Sequence, residues 1–260
     1  MLAPQRQSAI LDRVRATGGV RVSDLAVEFG VSDMTIRRDL DALADRGLLA
    51  KVHGGATLLD SGSTDEPGFA AKSARQRAEK EAIAARAATL VTPGMAVALS
   101  AGTTTVELAR RLVDVAGLTV VTNSVPAADV FYRGGRGDQT VILTGGVRTP
   151  SDALVGPAAV AAIRTLHVDL LFLGVHGMSE RAGYTTPNLM ESDTNRALIS
   201  AAARLVVLAD HTKWGTVGIS SMAELSEAQV VVTDAGLPAS ARTVLAEHGI
   251  DPLIADQRHR

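Results

Sequence analysis

The stretch VSDMTIRRDLDALADRG, residues 31–47, sets two adjacent arginines and an aspartate inside an otherwise helical apolar pattern. Ile36, Leu40 and Leu43 recur at i, i+4 and i+7, the spacing that lines up side chains on one face of an α-helix. Ser32 stands where an N-cap belongs and Gly47 where such a helix stops. With the apolar stripe turned inward, Arg37 and Arg38 must point sideways and outward, beside Ser32, Asp33 and Thr35 in the first turns. Arginine's planar fork can chelate guanine O6 and N7 or grip a phosphate with two charge-assisted bonds. The competing reading is an ordinary solvated ion-pair face, since Asp33, Arg37 and Asp41 follow one another at i, i+4 spacing.

The flanking residues favour the first reading. In QRQSAILDRVRATGG, residues 5–19, Ile10, Leu11 and Val14 fall at helical spacing and Gly18-Gly19 ends the run. Ser23 is the expected N-cap of a second, two-turn helix over DLAVEFG, whose Leu25, Ala26 and Phe29 share a face and whose Gly30 supplies a positive-φ stop. After the third helix, LLAKVHGGATLL (48–59) places two short apolar arms around His53-Gly54-Gly55, a hairpin signal. Short helices joined by a tight glycine turn and followed by a β-wing form a winged helix-turn-helix, whose last helix lies in the DNA major groove. Net charge gives no support, being −2 for the whole chain, and residues 1–58 hold 8 Lys+Arg against 7 Asp+Glu. Basicity must therefore be focused on one face.

At 260 residues, 46% hydrophobic and 21% charged, the chain has material for two packed domains and lies far from the signature of disorder. The absence of cysteine excludes disulfides, thiolate metal sites and cysteine nucleophiles, and suits a reducing compartment. No signal-peptide core and no stretch of ~18 apolar residues is found, so a cytoplasmic protein without membrane insertion is expected. The expected division is a winged helix-turn-helix over 1–59, a Ser/Gly/Asp/Pro-rich linker over 60–72 (DSGSTDEPGFAAK), and an effector domain over 73–260.

The remainder opens on a helical pattern, SARQRAEKEAIAARAATLV from residue 73, and then alternates apolar runs with helical ones. The runs are MAVALS (95–100), LTVV (118–121), TVILT (140–144), VDLLFLGV (168–175), RLVVLA (204–209) and QVVVT (229–233). Near-continuous apolar strands separated by helices predict an α/β fold with a parallel sheet covered on both faces. Five strands run into small or polar residues: Ser100-Ala101-Gly102-Thr103-Thr104-Thr105, Thr122-Asn123-Ser124, Gly145-Gly146, His176-Gly177 and Asp210-His211-Thr212-Lys213. In an open parallel sheet the carboxyl ends of the strands line the ligand crevice, so these ends predict one site of hydroxyls, amides and an ammonium.

Within that site AGTTTVELARRL (101–112) permits close backbone approach at Gly102 and starts a helix at once, so that free N–H groups and the helix dipole face the ligand, as in anion sites. Serine and threonine caps also open many helices that bind nothing. Lys213 supports an anion, because only four of the 26 basic residues are lysines (51, 72, 80 and 213); its alternative is a snorkelling surface lysine. His176 offers a substrate hydrogen bond or is a loop histidine, and Glu191 faces the crevice or solvates its helix. No G-x-G-x-x-G follows a strand, no Walker A motif is present, and the six histidines lack ligand spacing, so neither cofactor nor metal is expected.

These blocks resemble a known family. VSDLAVEFGVSDMTIRRDLDALADRGLLAKVHGGA (22–56) resembles the N-terminal signature of the DeoR family of bacterial sugar-metabolism regulators, and AGTTT, TNS, TGG, GYTT and ADHTKWG resemble its C-terminal sensor blocks in order. The similarity runs from about residue 3 to residue 255. It implies a Rossmann-like sensor domain related to ribose-5-phosphate isomerase and glucosamine-phosphate deaminase, which binds a phosphorylated sugar or polyol and releases DNA. It further implies that Thr35, Arg37 and Arg38 read DNA with Lys51 and His53 in the wing, and that Gly102 to Thr105, Asn123, Ser124, Asp210 and Lys213 surround the phosphosugar. One residue departs: the family commonly has aspartate where this chain has Ser100, a change expected to alter polar contacts to the sugar or the charge balance beside the phosphate.

The sequence thus predicts a homodimeric or larger operator-binding regulator, a repressor of a sugar or polyol operon, relieved by a phosphorylated effector. The rival is a sugar-phosphate isomerase or deaminase tethered to DNA, which needs a positioned carboxylate or histidine to move a proton. Glu191, Asp210 and His176 are available for that, yet Ser100 removes one carboxylate and no paired-carboxylate constellation is visible.

Overall fold

A computed structural model describes residues 2–17, 19–46, 48–52, 54–57 and 68–256. The chain forms two compact units, Met1–Gly62 and Ser63–Arg260. The first contains α1 (Ala3–Thr17), β1 (Gly19–Arg21), α2 (Val22–Phe29), α3 (Asp33–Asp45), β2 (Ala50–Val52) and β3 (Gly55–Thr57). Ile36, Leu40 and Leu43 of α3 are buried with Ile10 and Val14 of α1, Leu25 of α2 and Leu49, making the small core that the apolar spacing predicted. Gly30 closes α2 in the left-handed region at φ 64, and the Ser32 side chain accepts the Thr35 amide to cap α3. The hairpin forms as β2–β3 and recruits β1 on its other side, in the order β1-β3-β2. Gly55 is obligatory there, because a Cβ would lie 2.0 Å from the Val20 carbonyl oxygen.

One cap was misplaced in the sequence reading. Ser23 lies inside α2, where its hydroxyl meets Asp24 Oδ1 at 3.1 Å, and Arg21 occupies the cap position without a side-chain bond. The reason is that β1 runs directly into α2, and the Val22 amide is satisfied at 2.9 Å by the carbonyl of Gly54 in the wing turn. A backbone acceptor from the wing replaces the side-chain cap. The aspartate of the Arg-Arg-Asp run also has a structural task. Asp39 is 4% exposed, accepts Arg6 Nε at 2.5 Å and Gln7 Nε2 at 3.1 Å, and so ties α3 to α1.

The second unit contains α4 (Phe69–Ala74), α5 (Arg77–Ala88), β4 (Ala96–Leu99), α6 (Thr103–Leu112), β5 (Thr119–Thr122), α7 (Val125–Gly134), β6 (Thr140–Leu143), β7 (Val147–Arg148), β8 (Leu154–Val155) and α8 (Pro157–Ile163). It continues with β9 (Val168–Gly174), β10 (Gly177–Ser179), β11 (Gly183–Thr186), α9 (Leu189–Ala201), β12 (Ala202–Leu208), β13 (Ser220–Ala223), β14 (Val230–Asp234), α10 (Ala239–Glu247) and β15 (Leu253–Ala255). The six apolar runs become β4, β5, β6, β9, β12 and β14 of a seven-stranded parallel sheet in the order β15-β14-β12-β9-β4-β5-β6. Winding starts at β4, moves outward to β6, then returns to β9 on the other side of β4 and proceeds to β15. The strand order therefore reverses between β4 and β9, which is where open α/β sheets bind ligands.

The structure differs from the expectation in three further places. Both faces of the sheet are not covered everywhere, since Val141 and Leu143 of the edge strand β6 are exposed. The short β15, the β7–β8 pair and the antiparallel sheet β10-β11-β13 gave no strand signal of their own. The helical pattern from residue 73 is not one helix: α4 takes in 69–74, including residues assigned to the linker, and Gln76 at φ 48 breaks the run before α5. The part of the expected linker at 60–67 lies outside the described residues.

Replacing Asp39 by alanine strands a buried guanidinium and should lower the stability of the N-terminal unit by about 3 kcal/mol. Calorimetry of the full chain should show that unit's transition falling while the sensor unit's transition stays, and an Arg6→Met, Asp39→Leu double variant should recover most of the loss.

Candidate functional site

In the first unit, Ser32, Thr35, Arg37 and Arg38 share the opening turns of α3. The Ser32 and Thr35 hydroxyls lie 2.9 Å apart and are engaged in the cap. Arg37 and Arg38 are exposed, and neither is in an ion pair among the described residues. The solvated ion-pair face is not what forms, because Asp41 is taken by Lys51 of the wing. That pair fastens β2 to α3 and leaves the two arginines as the unengaged cations of the helix. Met34, between Asp33 and Thr35, is an apolar side chain left 59% exposed on the same turns, and the sequence reading did not single it out. His53 lies outside the described residues.

In the second unit, the loop after β4 sits at the reversal of strand order. Ser100 is fully buried, and its hydroxyl accepts the Gly174 amide at 3.0 Å, binding the end of β4 to the end of β9. The Thr105 hydroxyl, also buried, turns back to the carbonyls of Ser100 and Gly102 at 2.7 and 2.8 Å. Asn123 accepts the Ala101 amide at 2.8 Å through Oδ1 and donates through Nδ2 to the Leu154 carbonyl at 3.2 Å. Ser124 caps α7 by accepting the Ala127 amide. These four residues are frame: their polar atoms are spent on holding the loop. The Ser100 departure from the family pattern therefore bears first on how β4 and β9 are joined.

What the frame presents is Gly102, Thr103 and Thr104. A Cβ at Gly102 would come within 3.3 Å of Thr105 Oγ1, so glycine lets the loop close against its own first turn. The amides that open a helix have no intrahelical partner, and those of α6 start at this loop. Past β12, Asp210 caps a short 3₁₀ turn, His211–Lys213, by accepting the Thr212 amide at 3.0 Å. Lys213 is half-buried at the end of that turn. His176 follows β9 with its amide bonded to the Thr185 carbonyl at 3.1 Å. Glu191, in the first turn of α9, accepts the hydroxyls of Thr149 and Thr186, each at 3.1 Å, and so braces the β7–β8 connection against β11. Gly145 is exposed beyond the edge strand β6, four strands from β12 along the sheet, and sits apart from Lys213.

Sequence reading missed two groups. His211 Nδ1 lies 2.8 Å from Asp234 Oδ2, and its amide donates to Asp234 Oδ1 at 2.7 Å, which anchors the Lys213 turn to the end of β14. Lys80, in the first turn of α5, is only 5% exposed, and burial pushes its ammonium down to about 8. Asp210 pulls the other way, while Lys213 and Arg75 add to the depression. The signal for Lys80 was available: it falls on the same helical stripe as the buried Ile83, Ala84 and Ala87. Among the described residues no three His, Asp or Glu side chains gather as a metal would require, and no helix is long and apolar enough to cross a membrane.

A winged helix-turn-helix unit followed by an α/β unit whose parallel sheet reverses its strand order defines a transcription regulator with a sensor domain. Residues 6–62 match the DeoR-like helix-turn-helix domain and residues 75–235 the DeoR C terminal sensor domain. The chain belongs to the DeoR family. It is 37% identical over 256 residues to the uncharacterized HTH-type transcriptional regulator YgbI of Escherichia coli (strain K12), covering 98% of this chain and 99% of that protein. The glycerol-3-phosphate regulon repressor of the same organism is 33% identical over 251 residues, covering 96% and 98%. The putative aga operon transcriptional repressor of Escherichia coli O157:H7 is 31% identical over 254 residues, covering 97% and 94%. Among solved structures, ribose 5-phosphate isomerase A from Methanocaldococcus jannaschii is a loose partial likeness, with a TM-score of 0.38, 17% identity and 52% and 53% of the two chains covered. The named full-length relatives are regulators, and the chain is a regulator rather than an enzyme.

Asn123→Ala leaves the Ala101 amide and the Leu154 carbonyl without their partner and should cost the sensor unit about 1–3 kcal/mol. Urea titration followed by the single tryptophan, Trp214, measures it.

Proposed function

We propose that this regulator is a repressor whose crevice binds a phosphorylated sugar or polyol, and that the bound ester lowers the affinity of the N-terminal unit for operator DNA. The observation that carries the reading is the loop at residues 101–105, which aims the start of α6 at the strand reversal while its buried neighbours hold it rigid. A phosphate is the anion suited to a cluster of backbone amides at a helix start, and a polyol chain is suited to the hydroxyls and amides beside it. Gly102, Thr103, Thr104 and Lys213 are assigned to the phosphate. His176, Asp210 and Glu191 are assigned to the rest of the ester, and Ser100, Thr105, Asn123 and Ser124 support the loop. The relative that is a glycerol-3-phosphate regulon repressor fits an effector of this class.

Arg37 and Arg38 are assigned to base edges and phosphates, with Ser32 and Thr35 orienting the helix and Lys51 and His53 in the wing. Two copies of α3 on half-sites about one DNA turn apart make a homodimer the expected operator-bound form. Coupling of ~1–3 kcal/mol between the crevice and the DNA surface corresponds to roughly 5- to 150-fold weaker operator binding.

Three measurements test this. In a thermal-shift panel, one or more phosphate esters should raise the sensor melting temperature while their unphosphorylated counterparts do not, because a ligand that binds only the folded state stabilises it. A uniform lack of response would remove the sugar-phosphate reading. Lys213→Ala should abolish the stabilisation without moving the melting temperature of the unliganded protein by more than about 2 °C, as expected of a half-buried surface change. Arg38→Ala should weaken operator binding by about 1–3 kcal/mol and relax site discrimination, read by fluorescence anisotropy against a selected and a scrambled duplex. Unchanged discrimination would misplace the reading helix.

A further inference from the structure

The Lys80 ammonium is nine-tenths buried, yet its hydrogen bonds go only to backbone: the carbonyls of Lys72 at 2.5 Å and Arg75 at 2.6 Å. An ammonium has three donors. The third has no protein partner, and no carboxylate lies within ion-pair distance, among the described residues. A buried cation in that condition is expensive, and an anion brought near it recovers part of the cost. The two carbonyls belong to the C-terminal end of α4 and to the residue after it. Directly beyond stands Gln76, at φ 48, a left-handed conformation that is strained for a non-glycine residue. Lys80 thus sits across a strained elbow, holding the end of α4 against the start of α5. Its electrostatic neighbours are the carboxylates of Asp210 and Glu107, neither within ion-pair distance among the described residues, and the cations Lys213 and Arg75; Asp210 and Lys213 follow the carboxyl end of β12.

The elbow has a second attachment on the same side. The Phe69 amide donates to the Pro150 carbonyl at 3.1 Å, and Lys72 Nζ donates to Ser151 Oγ at 2.7 Å. The turn at 149–152 is in turn bonded to the crevice, through Val125 N to the Asp152 carbonyl and through Thr149 to Glu191. α4 is the first described element after the boundary between the two units. It is the segment by which the chain arriving from the DNA-binding unit enters the sensor.

We propose that Lys80 couples the two functions: its ammonium clamps the strained α4–α5 elbow, and an anion bound in the crevice competes for that ammonium and loosens the elbow. Lys80 is a positioning residue in this scheme, acting on DNA affinity through α4. The inference rests on the crevice binding an anion, as set out above.

Hydrogen exchange of the full chain tests it, with inorganic phosphate as the probe and sodium chloride at matched ionic strength as the control. In the wild type, phosphate should slow exchange over 101–106 and speed it over 69–77. In Lys80→Met the 69–77 segment should already exchange about tenfold faster than in the wild type, as a local opening made easier, and phosphate should add nothing further there. Gln76→Gly keeps the ammonium and relieves the strain, so it should reduce the phosphate-driven acceleration, and it decides the matter where Lys80→Met fails to fold. Protection over 101–106 with no response over 69–77 overturns the coupling and leaves the crevice reading standing. Wild-type exchange over 69–77 in a folded Lys80→Met also overturns it. No protection over 101–106 removes the crevice reading itself, and the coupling with it.

Discussion

The reversal of strand order between β4 and β9 is the constraint from which the sensor unit follows. Two parallel strands whose connections leave in opposite directions cannot close over their own carboxyl ends, so a gap opens there in any such sheet. What varies is how the gap is kept from collapsing. Here the short side chain of Ser100 spans it, taking the Gly174 amide, while Thr105 and Asn123 satisfy the backbone of the loop above. Ser100, Thr105 and Asn123 are all buried, and a buried polar group is tolerable only when bonded. The loop is therefore rigid before any ligand arrives. Such rigidity is what an anion site built from backbone amides requires, since ordering them at the moment of binding would consume much of the affinity.

The same separation of tasks runs through the Arg-Arg-Asp sequence of α3. Three consecutive charged residues look alike in the sequence, but successive helical positions are turned by about 100°, so they cannot all face one way. Asp39 turns inward to Arg6, whereas Arg37 and Arg38 turn outward, without ion-pair partners among the described residues. A buried ion pair adds little stability compared with a well-packed apolar pair, but it fixes one geometry and punishes others. The angle of α3 on α1 determines where its outward arginines point, so orientation is the property worth fixing at that position.

Much of this was legible in advance, for reasons that also explain the gaps. The stripe Ile36, Leu40, Leu43 and the apolar runs of the parallel strands carry period and hydrophobicity together, and both survive in the folded chain. Strand ends that finish in Gly, Ser, Thr and Asn are found where the strand order reverses. The misplaced Ser23 cap failed because the Val22 amide is met by a backbone carbonyl some thirty residues away, which no local rule detects. β15 and the β7–β8 pair are too short to show a period. For the site, residue type identified the neighbourhood but not the role. Ser100, Thr105, Asn123 and Ser124 have the chemistry of ligand contacts, and in the structure their polar atoms also bond the backbone around the loop and the start of α7. Lys80 lay open to detection by its place on a buried helical stripe, but a lysine there reads as a surface residue until its two backbone acceptors are seen.

Those acceptors make Lys80 energetically unusual. Carbonyl oxygens at the end of a helix carry partial negative charge and suit a cation, but they do not neutralise it. A full charge held in this way retains an appetite for an anion that a carboxylate partner would have satisfied. The C-terminal end of α4 and the crevice can then both draw on one ammonium. Energy of that size is ample for coupling of ~1–3 kcal/mol, because desolvating a single ion costs several times as much. Thermodynamic linkage makes the coupling reciprocal: whatever factor the bound anion takes from operator affinity, operator DNA takes from anion affinity. A regulator organised around one shared cation needs no large rearrangement of its core, only a change in which acceptors that cation serves.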